Sequence, residues 1–152
     1  MLNLLIHNQF KLTKHIGMIE VRMGLNMNDF VEYAEKFKGL EKEFELFLKK
    51  WMTQQASNLV VRTKEKTPVD TGNLRNSWYF ENYKRSGNKA QIEINNSADY
   101  ASFIEFGTPA RPNWKWADGA HMLTKSLFEI EQTMPNDFDK AFTEFLKSKG
   151  LL

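Results

Sequence analysis

The side chains that could carry out acid–base or metal chemistry are scattered along this chain of 152 residues. The histidines His7, His15 and His121 lie far apart, without the spacing of metal ligands on a helix. There is no cysteine, so disulfides and thiolate metal sites are excluded. Glycine-rich phosphate loops and nucleophile-elbow motifs are also missing from the sequence. We therefore predict no catalytic residue, no cofactor, no metal site and no enzyme activity.

Three carboxylates lie close to turns that contain glycine, namely Asp70, Asp99 and Glu105. Asp and Glu side chains at such positions commonly cap backbone amides or form ion pairs. General acid or base catalysis requires a second group that converges on the same proton, and the sequence does not indicate one. Turn capping, or an ion pair with Arg75 or Arg111, is the expected role.

Basic residues interleaved with aromatic residues in the middle of the chain are compatible with nucleic-acid binding, because aromatic rings stack on bases and cations hold phosphates. The net charge is only +2, from 21 basic and 19 acidic residues, so the chain has no strong overall field for DNA. A nucleic-acid-binding module that contacts DNA through this central segment remains an alternative. Its residues would be Arg62, Lys64, Lys66, Arg75, Trp78, Tyr79, Lys84, Arg85, Lys89, Arg111, Trp114, Lys115 and Trp116.

The composition, with 41% hydrophobic and 26% charged residues, is that of an ordinary folded domain. No apolar run reaches the roughly 18 residues of a membrane helix, so we expect no membrane association. We predict a single domain over residues 18–152. Residues 1–17 are expected to be an extension that is loosely ordered or arises from an upstream start codon.

The hydrophobic pattern predicts an α+β fold in which strands and helices are segregated. Residues 19–23 alternate like a short strand, and residues 28–39 are typical of a short helix. Apolar residues then recur at helical spacing over residues 40–65, which predicts a long amphipathic helix that Pro68 ends. The apolar positions are Leu40, Phe44, Phe47, Leu48, Trp51, Met52 and Leu59.

A central β-hairpin is predicted from strands at residues 77–83 and 90–95, with a turn at 86–88. One face of this small antiparallel sheet, carrying Trp78, Phe80, Ile92 and Ile94, is expected to cover the long helix. A short apolar helix or turn follows at 100–108 and ends at glycine. C-terminal helices lie on both sides of Pro135, where we expect a kink or a break.

Two turn-rich segments bracket the hairpin and carry a resemblance to a known family. The first is Thr-Pro-Val-Asp-Thr-Gly-Asn-Leu-Arg-Asn-Ser at residues 67–77. The second is Tyr-Ala-Ser-Phe-Ile-Glu-Phe-Gly-Thr at residues 100–108, with Ala-Arg-Pro at 110–112. In this order they resemble phage proteins similar to gene product ten of coliphage HK-ninety-seven, over roughly residues 23–135. The matching motif positions are Pro68, Asp70, Thr71, Gly72, Leu74, Arg75, Ser77, Tyr100, Ala101, Glu105, Gly107, Thr108, Arg111 and Pro112.

The resemblance implies a structural virion protein, made in the bacterial host cytoplasm and located in the tail or at the head–tail interface. It implies a subunit of the head–tail joining (neck) ring or the tail-completion ring, commonly a hexamer, that contacts the portal connector or the tail tube. DNA could pass through such a ring without sequence-specific binding. Where the family usually has an aromatic residue after Ala-Arg-Pro, residues 113–116 read Asn-Trp-Lys-Trp, which resembles a subgroup in prophages of Gram-positive bacteria.

In this family context the motif residues are expected to be structural. Asp70, Thr71 and Gly72 would fix the crossing from helix to hairpin, and Glu105 would pair with Arg111 or Arg75. Gly107 would supply a backbone conformation that side chains forbid. Alternatively, both arginines cross a subunit interface. A ring subunit needs two different contact patches, for which the candidates are the loop carrying Trp114 and Trp116 and a face of the long helix.

Overall fold

The computed structural model describes residues 10–15, 18–26, 39–108 and 117–152. Within these ranges two long helices and a five-stranded antiparallel sheet make up most of the fold, which confirms the α+β class. The helices are α1 (Glu41–Lys66), α2 (Asn73–Asn76), α3 (Ala101–Phe106) and α4 (Met122–Ser148). The strands are β1 (Phe10–His15), β2 (Met18–Asn26), β3 (Trp78–Phe80), β4 (Lys84–Ser86), β5 (Lys89–Asn96), β6 (Gly107–Thr108) and β7 (Ala117–Asp118).

The sheet has the order β1-β2-β5-β3, and β4 also pairs with β5. Alternate side chains of β5 are buried, as the strict alternation of the sequence predicts. Trp78, Ile92 and Ile94 are buried and Phe80 is half-buried, so the predicted inward face is confirmed. This face packs against α1.

The first strand of the predicted hairpin is divided into β3 and β4. Phe80 pairs with Ile94 and Lys84 pairs with Gln91, so residues 81–83 lie opposite only residues 92–93. One extra residue on one strand is a β-bulge, which interrupts the ladder and bends the strand. Period-two alternation alone does not reveal where such a bulge falls.

Helix α1 runs antiparallel to α4, and its buried stripe faces α4 and the sheet. Aromatic rings join the start of α1 to the end of α4, with Trp51 and Phe138 4.8 Å apart at their centroids. Acidic residues occupy the first turn of α1 and basic residues its last turn, which complements the helix dipole. The helix ends at Lys66, immediately before Thr67 and Pro68, as predicted.

The chain around Pro135 forms one helix, α4, rather than two. Of the two alternatives, a kink or a break, the break is therefore wrong. An interior proline costs a helix about 3 kcal/mol or more. Ile130, Met134, Phe138 and Phe142 are nevertheless buried at a spacing of four across the proline. Packing of this continuous stripe favours the uninterrupted helix.

Part of the predicted N-terminal extension belongs to the sheet, because residues 10–15 form β1 and pair with β2. Residues 1–9 and 16–17 lie outside the described residues, and so does all but the last residue of the short helix expected over 28–39. The boundary between an extension and a domain at residue 18 stays a prediction.

Candidate functional site

The side chain of Glu105 caps the N-terminus of α4. This carboxylate is 0% exposed, at the end of α3. It accepts hydrogen bonds from the backbone amides of Leu123 at 3.0 Å and Thr124 at 2.8 Å, and from the Thr124 hydroxyl at 2.6 Å. A carboxylate at a helix N-terminus satisfies amides that lack partners and interacts favourably with the helix dipole. Glu105 thereby joins α3 to α4.

Glu105 caps the helix N-terminus, a role that usually belongs to the side chain of the residue just before the helix. That residue is His121, which has φ 52° and ψ 40° and makes no capping hydrogen bond through its side chain. His121 is the one non-glycine residue with positive φ among the described residues. The left-handed region is strained for a side chain, by roughly 1–2 kcal/mol. The chain adopts it at the residue that immediately precedes α4.

Backbone hydrogen bonds join the same two regions, again with the donors on the α4 side. The amide of Ala120 donates to the carbonyl of Ile104 at 2.7 Å, and that of His121 donates to the carbonyl of Glu105 at 3.1 Å. A Cβ at Gly119 would lie 2.1 Å from the Glu105 carbonyl oxygen. Gly119 is therefore required for this close approach. We call these contacts between residues 104–105 and 119–124 the α3–α4 clamp.

A two-residue ladder follows the clamp directly. Gly107 ends α3 with φ 78° and ψ 178°, a conformation open essentially only to glycine. It pairs with Asp118, and Thr108 pairs with Ala117. The clamp and this ladder hold together the two ends of segment 109–116. Arg111, Pro112, Trp114 and Trp116 lie in that segment, outside the described residues.

The first motif forms a compact turn between α1 and β3. Gly72, at φ 84°, precedes α2 and accepts a hydrogen bond from the amide of Asn76 at 3.0 Å. The Ser77 hydroxyl donates to the Asn73 carbonyl at 2.8 Å, while the Thr71 hydroxyl accepts weakly from the Asn73 amide at 3.4 Å. Leu74 is buried beneath the turn. These contacts hold the turn together between α1 and β3.

Asn96 links the first motif to the chain just before the second motif, and it was not predicted from the sequence. Its side chain is 2% exposed; its amide donates to the Leu74 carbonyl at 2.9 Å, and its oxygen accepts from the Ala98 amide at 2.9 Å. A second link is the hydrogen bond from the Asn73 side chain to the Tyr100 hydroxyl at 3.2 Å. The available signal was a polar residue at an inward position of β5.

Thr67 and Trp78 form another buried contact that sequence reasoning missed. The Trp78 indole donates to the Thr67 hydroxyl at 3.0 Å, and that hydroxyl donates to the carbonyl of Thr63 at 2.6 Å. The end of α1 is thus tied to β3. A buried Thr placed just before Pro68 was the available signal.

The intrachain contacts expected of Asp70 and Arg75 do not form among the described residues, while the alternative that Arg75 crosses a subunit interface stays a prediction. Within the described chain the Asp70 carboxylate has no hydrogen-bond or ion-pair partner, although capping was predicted. Arg75 is exposed, and no ion pair joins it to Glu105 in the described ranges. Burial in the clamp directs Glu105 to backbone amides instead. Pro68 and Val69 are exposed as well, Val69 to 60%.

The described residues hold no cluster of acidic, histidine or cysteine side chains that could bind a metal. Burial raises the pKa of the Tyr83 hydroxyl, and a hydrogen bond from Lys66 lowers the pKa of Glu129. Both shifts come from packing and surface ion pairs. Asp70 is exposed while Glu105 is enclosed by α4, so these carboxylates do not form a catalytic pair.

Most of the described basic residues in the central segment already have acidic partners. Arg62 and Lys66 pair with Glu129, at 3.2 and 2.9 Å. Lys84 pairs with Glu81 and Glu93, and Arg85 pairs with Glu45. Trp78 is buried and unavailable for base stacking. The described part of the segment therefore offers nucleic acid fewer unpaired cations than its composition suggests.

These features are those of a structural protein in which turns and buried hydrogen bonds fix a small sheet against two helices. Residues 29–107 match the sequence model of the family described as "Bacteriophage HK97-gp10, putative tail-component". The chain belongs to this family of phage tail components. No curated protein and no solved structure matches this chain. In the described ranges, none of the helices has the length and apolar character needed to cross a lipid bilayer.

Proposed function

We propose that this chain is a subunit of the ring that completes the tail or joins the tail to the head of a phage or prophage particle. Family membership supports a structural phage role and contacts with other phage proteins. The α3–α4 clamp is the observation that carries the proposal further. A buried carboxylate here serves to fasten backbone rather than to do chemistry, which suits a scaffold for protein contacts.

The proposed partners are further copies of the chain, in a ring that we expect to be a hexamer, and the portal connector or the tail tube. DNA would pass through this ring without being read. The proposed location is the virion, after synthesis in the host cytoplasm. The particular parent, a prophage of a Gram-positive bacterium, rests only on the resemblance of residues 113–116.

Deletion of the gene from an inducible prophage tests this function. We expect induced cells to release filled heads and free tails that are not joined, seen by electron microscopy, and plasmid-borne wild-type chain to restore joined particles. Mass spectrometry of purified particles should detect the chain. Normal joined particles after deletion, or particles that lack the chain, would contradict the proposal.

Trp114 and Trp116 remain the candidate contact residues of segment 109–116. Replacing both by alanine should weaken assembly while the monomer stays folded, because large aromatic side chains carry much of the energy of an interface. Sedimentation would measure assembly, and circular dichroism the fold. Tyr79→Ala, at a 47% exposed aromatic residue on the sheet, is the matched control. Unchanged assembly of the double variant would remove these tryptophans from the interface.

The alternative is a nucleic-acid-binding module. Its prediction is a gel shift with duplex DNA that weakens steeply as salt rises, because phosphate contacts release counterions. The ion pairs of Arg62, Lys66, Lys84 and Arg85 and the burial of Trp78 favour the structural proposal instead.

A further inference from the structure

A groove lies between the first half of α1 and the last turns of α4, with a volume of about 620 Å³. Half-buried Phe47 and Phe145 stack there with ring centroids 4.9 Å apart, and Leu46 is 66% exposed at its edge. Trp51 also lines the groove, and its buried indole N–H has no acceptor in the described chain. An unpaired buried donor costs about 1–3 kcal/mol. The groove is thus an apolar concavity, and a donor without a partner among the described residues is buried in its wall.

The complementary feature is a phenylalanine side chain that protrudes from α4. Phe128 is 64% exposed, more than any other described aromatic residue in the fold. Its neighbours one turn away on either side, Lys125 and Glu131, are exposed and polar. A phenylalanine isolated on a polar helix face leaves a large apolar area in water. This area could be buried in an apolar concavity.

Phe128 cannot reach the groove of its own molecule. It is sixteen residues before Glu144, which lines the groove. That spacing corresponds to about 24 Å along a helix and about 160° around it. The ring and the groove therefore lie at opposite ends and on different sides of α4. Only a second copy can bring them together.

The charges beside the two features are compatible. Lys125 and Glu131 flank Phe128 with one charge of each sign. The groove also carries both signs along its length, from Glu43, Lys50, Glu144 and Lys149. Opposite charges at the rim orient partners and suppress wrong ones more than they add affinity. Lys125 and Glu131 beside Phe128 therefore have residues of opposite sign available at the groove.

We propose that Phe128 of one copy inserts into the α1–α4 groove of the next copy. This inference rests on the proposed ring function and names one of its contacts. Because the two patches differ, the contact is head-to-tail, and repetition closes a ring if the rotation between copies permits. Phe128 lies near the N-terminus of α4, the same end as the clamp. One end of the molecule would supply the Phe128 side chain, and the other end would supply the groove.

Two single variants of the full chain, Phe128→Glu and Leu46→Glu, test the contact by analytical ultracentrifugation up to millimolar concentration. The wild-type chain should self-associate, and each variant should weaken that association at least about thirty-fold, as expected for an interface anchor. An equimolar mixture of the two variants should form a heterodimer that does not grow. Phe128→Glu keeps an intact groove, and Leu46→Glu keeps the Phe128 side chain. One contact between the two variants therefore remains possible.

Val61→Glu is the matched control, because Val61 is an apolar residue of α1 that is 52% exposed and does not line the groove. It should assemble like the wild type. The inference is overturned by a monomeric wild type at every concentration, by a variant that assembles normally, by loss of assembly in the control, or by a mixture that stays monomeric. A wild-type chain missing from phage particles would instead overturn the proposed function. Incorporation of Phe128→Glu at the wild-type level would overturn only the contact.

Discussion

The two motifs on either side of the hairpin use similar residues in opposite ways. In the second motif Glu105 is completely buried and holds α4 through three hydrogen bonds. In the first motif Asp70 is exposed and has no partner in the described chain. A carboxylate next to a glycine turn can therefore be a core residue or a surface residue, and its long-range partners decide which. The second motif fastens the fold, while the tip of the first motif is exposed to solvent.

The largest effect is expected from Gly119→Ala in the clamp. The new Cβ would lie 2.1 Å from the carbonyl oxygen of Glu105, and the obstruction is backbone that cannot turn aside. We expect a loss of about 3–5 kcal/mol in the free energy of unfolding, typical of severe overpacking. Urea denaturation followed by circular dichroism measures it.

Gly150→Ala is the control for this prediction. Gly150 has φ +67°, but an added Cβ there has nothing within 4 Å. Its cost should be limited to the backbone, about 1 kcal/mol. Equal losses for the two variants would show that the close approach in the clamp has no energetic importance.

Glu105→Ala should have the next largest effect, about 2–4 kcal/mol, because it removes a helix cap and leaves buried amides unsatisfied. Urea denaturation measures the stability, and hydrogen exchange should show faster exchange at Leu123 and Thr124. Asp70→Ala, the matched change in the first motif, should stay within about 0.5 kcal/mol of wild type. Comparable losses at Asp70 and Glu105 would erase the contrast between the motifs.

Asn96→Ala tests the link from the first motif to the chain just before the second motif. It removes the partners of the Leu74 carbonyl and the Ala98 amide, so we expect a loss of about 1–3 kcal/mol. The control is Asn95→Ala on the opposite face of β5, where the Asn95 side chain donates a long hydrogen bond of 3.5 Å to Glu81. That variant should be nearly neutral in the same denaturation experiment. A harmless Asn96→Ala would mean that the Asn96 hydrogen bonds contribute nothing to the stability of the fold.

The local elements could be predicted from the sequence because their signals are local. Helical spacing and Pro68 defined α1, and alternation defined the inward face of β5. The clamp could not be predicted, since Glu105 meets its partners 18 and 19 residues further along the chain. Nothing in the turn distinguishes a carboxylate that will meet amides from one that will meet an arginine. The continuity of α4 could not be predicted for a similar reason. Pro135 indicates a local cost to the helix, but the sequence does not show the tertiary packing that offsets this cost.

Glu129→Gln should have the smallest effect, and it tests how the chain before the first motif is held to α4. Glu129 pairs with Lys66 and Arg62 at the exposed end of α1. The hydrogen bond from Lys66 lowers the pKa of the Glu129 carboxyl in the folded state. The ionised Glu129 carboxylate therefore stabilises the fold above the pKa that it has in the unfolded chain. This stabilisation is lost as pH falls through its pKa in the folded chain.

The midpoint of urea unfolding should thus differ slightly between wild type and Glu129→Gln at neutral pH. The difference should shrink in acid below about pH 4, and it should also shrink in high salt, which screens exposed charges. The loss from Glu105→Ala should resist salt, because its hydrogen bonds are buried. If salt reduced both losses equally, the hydrogen bonds of Glu105 would be no better shielded from solvent than the surface ion pairs of Glu129. The distinction between these two contacts to α4 would then fail.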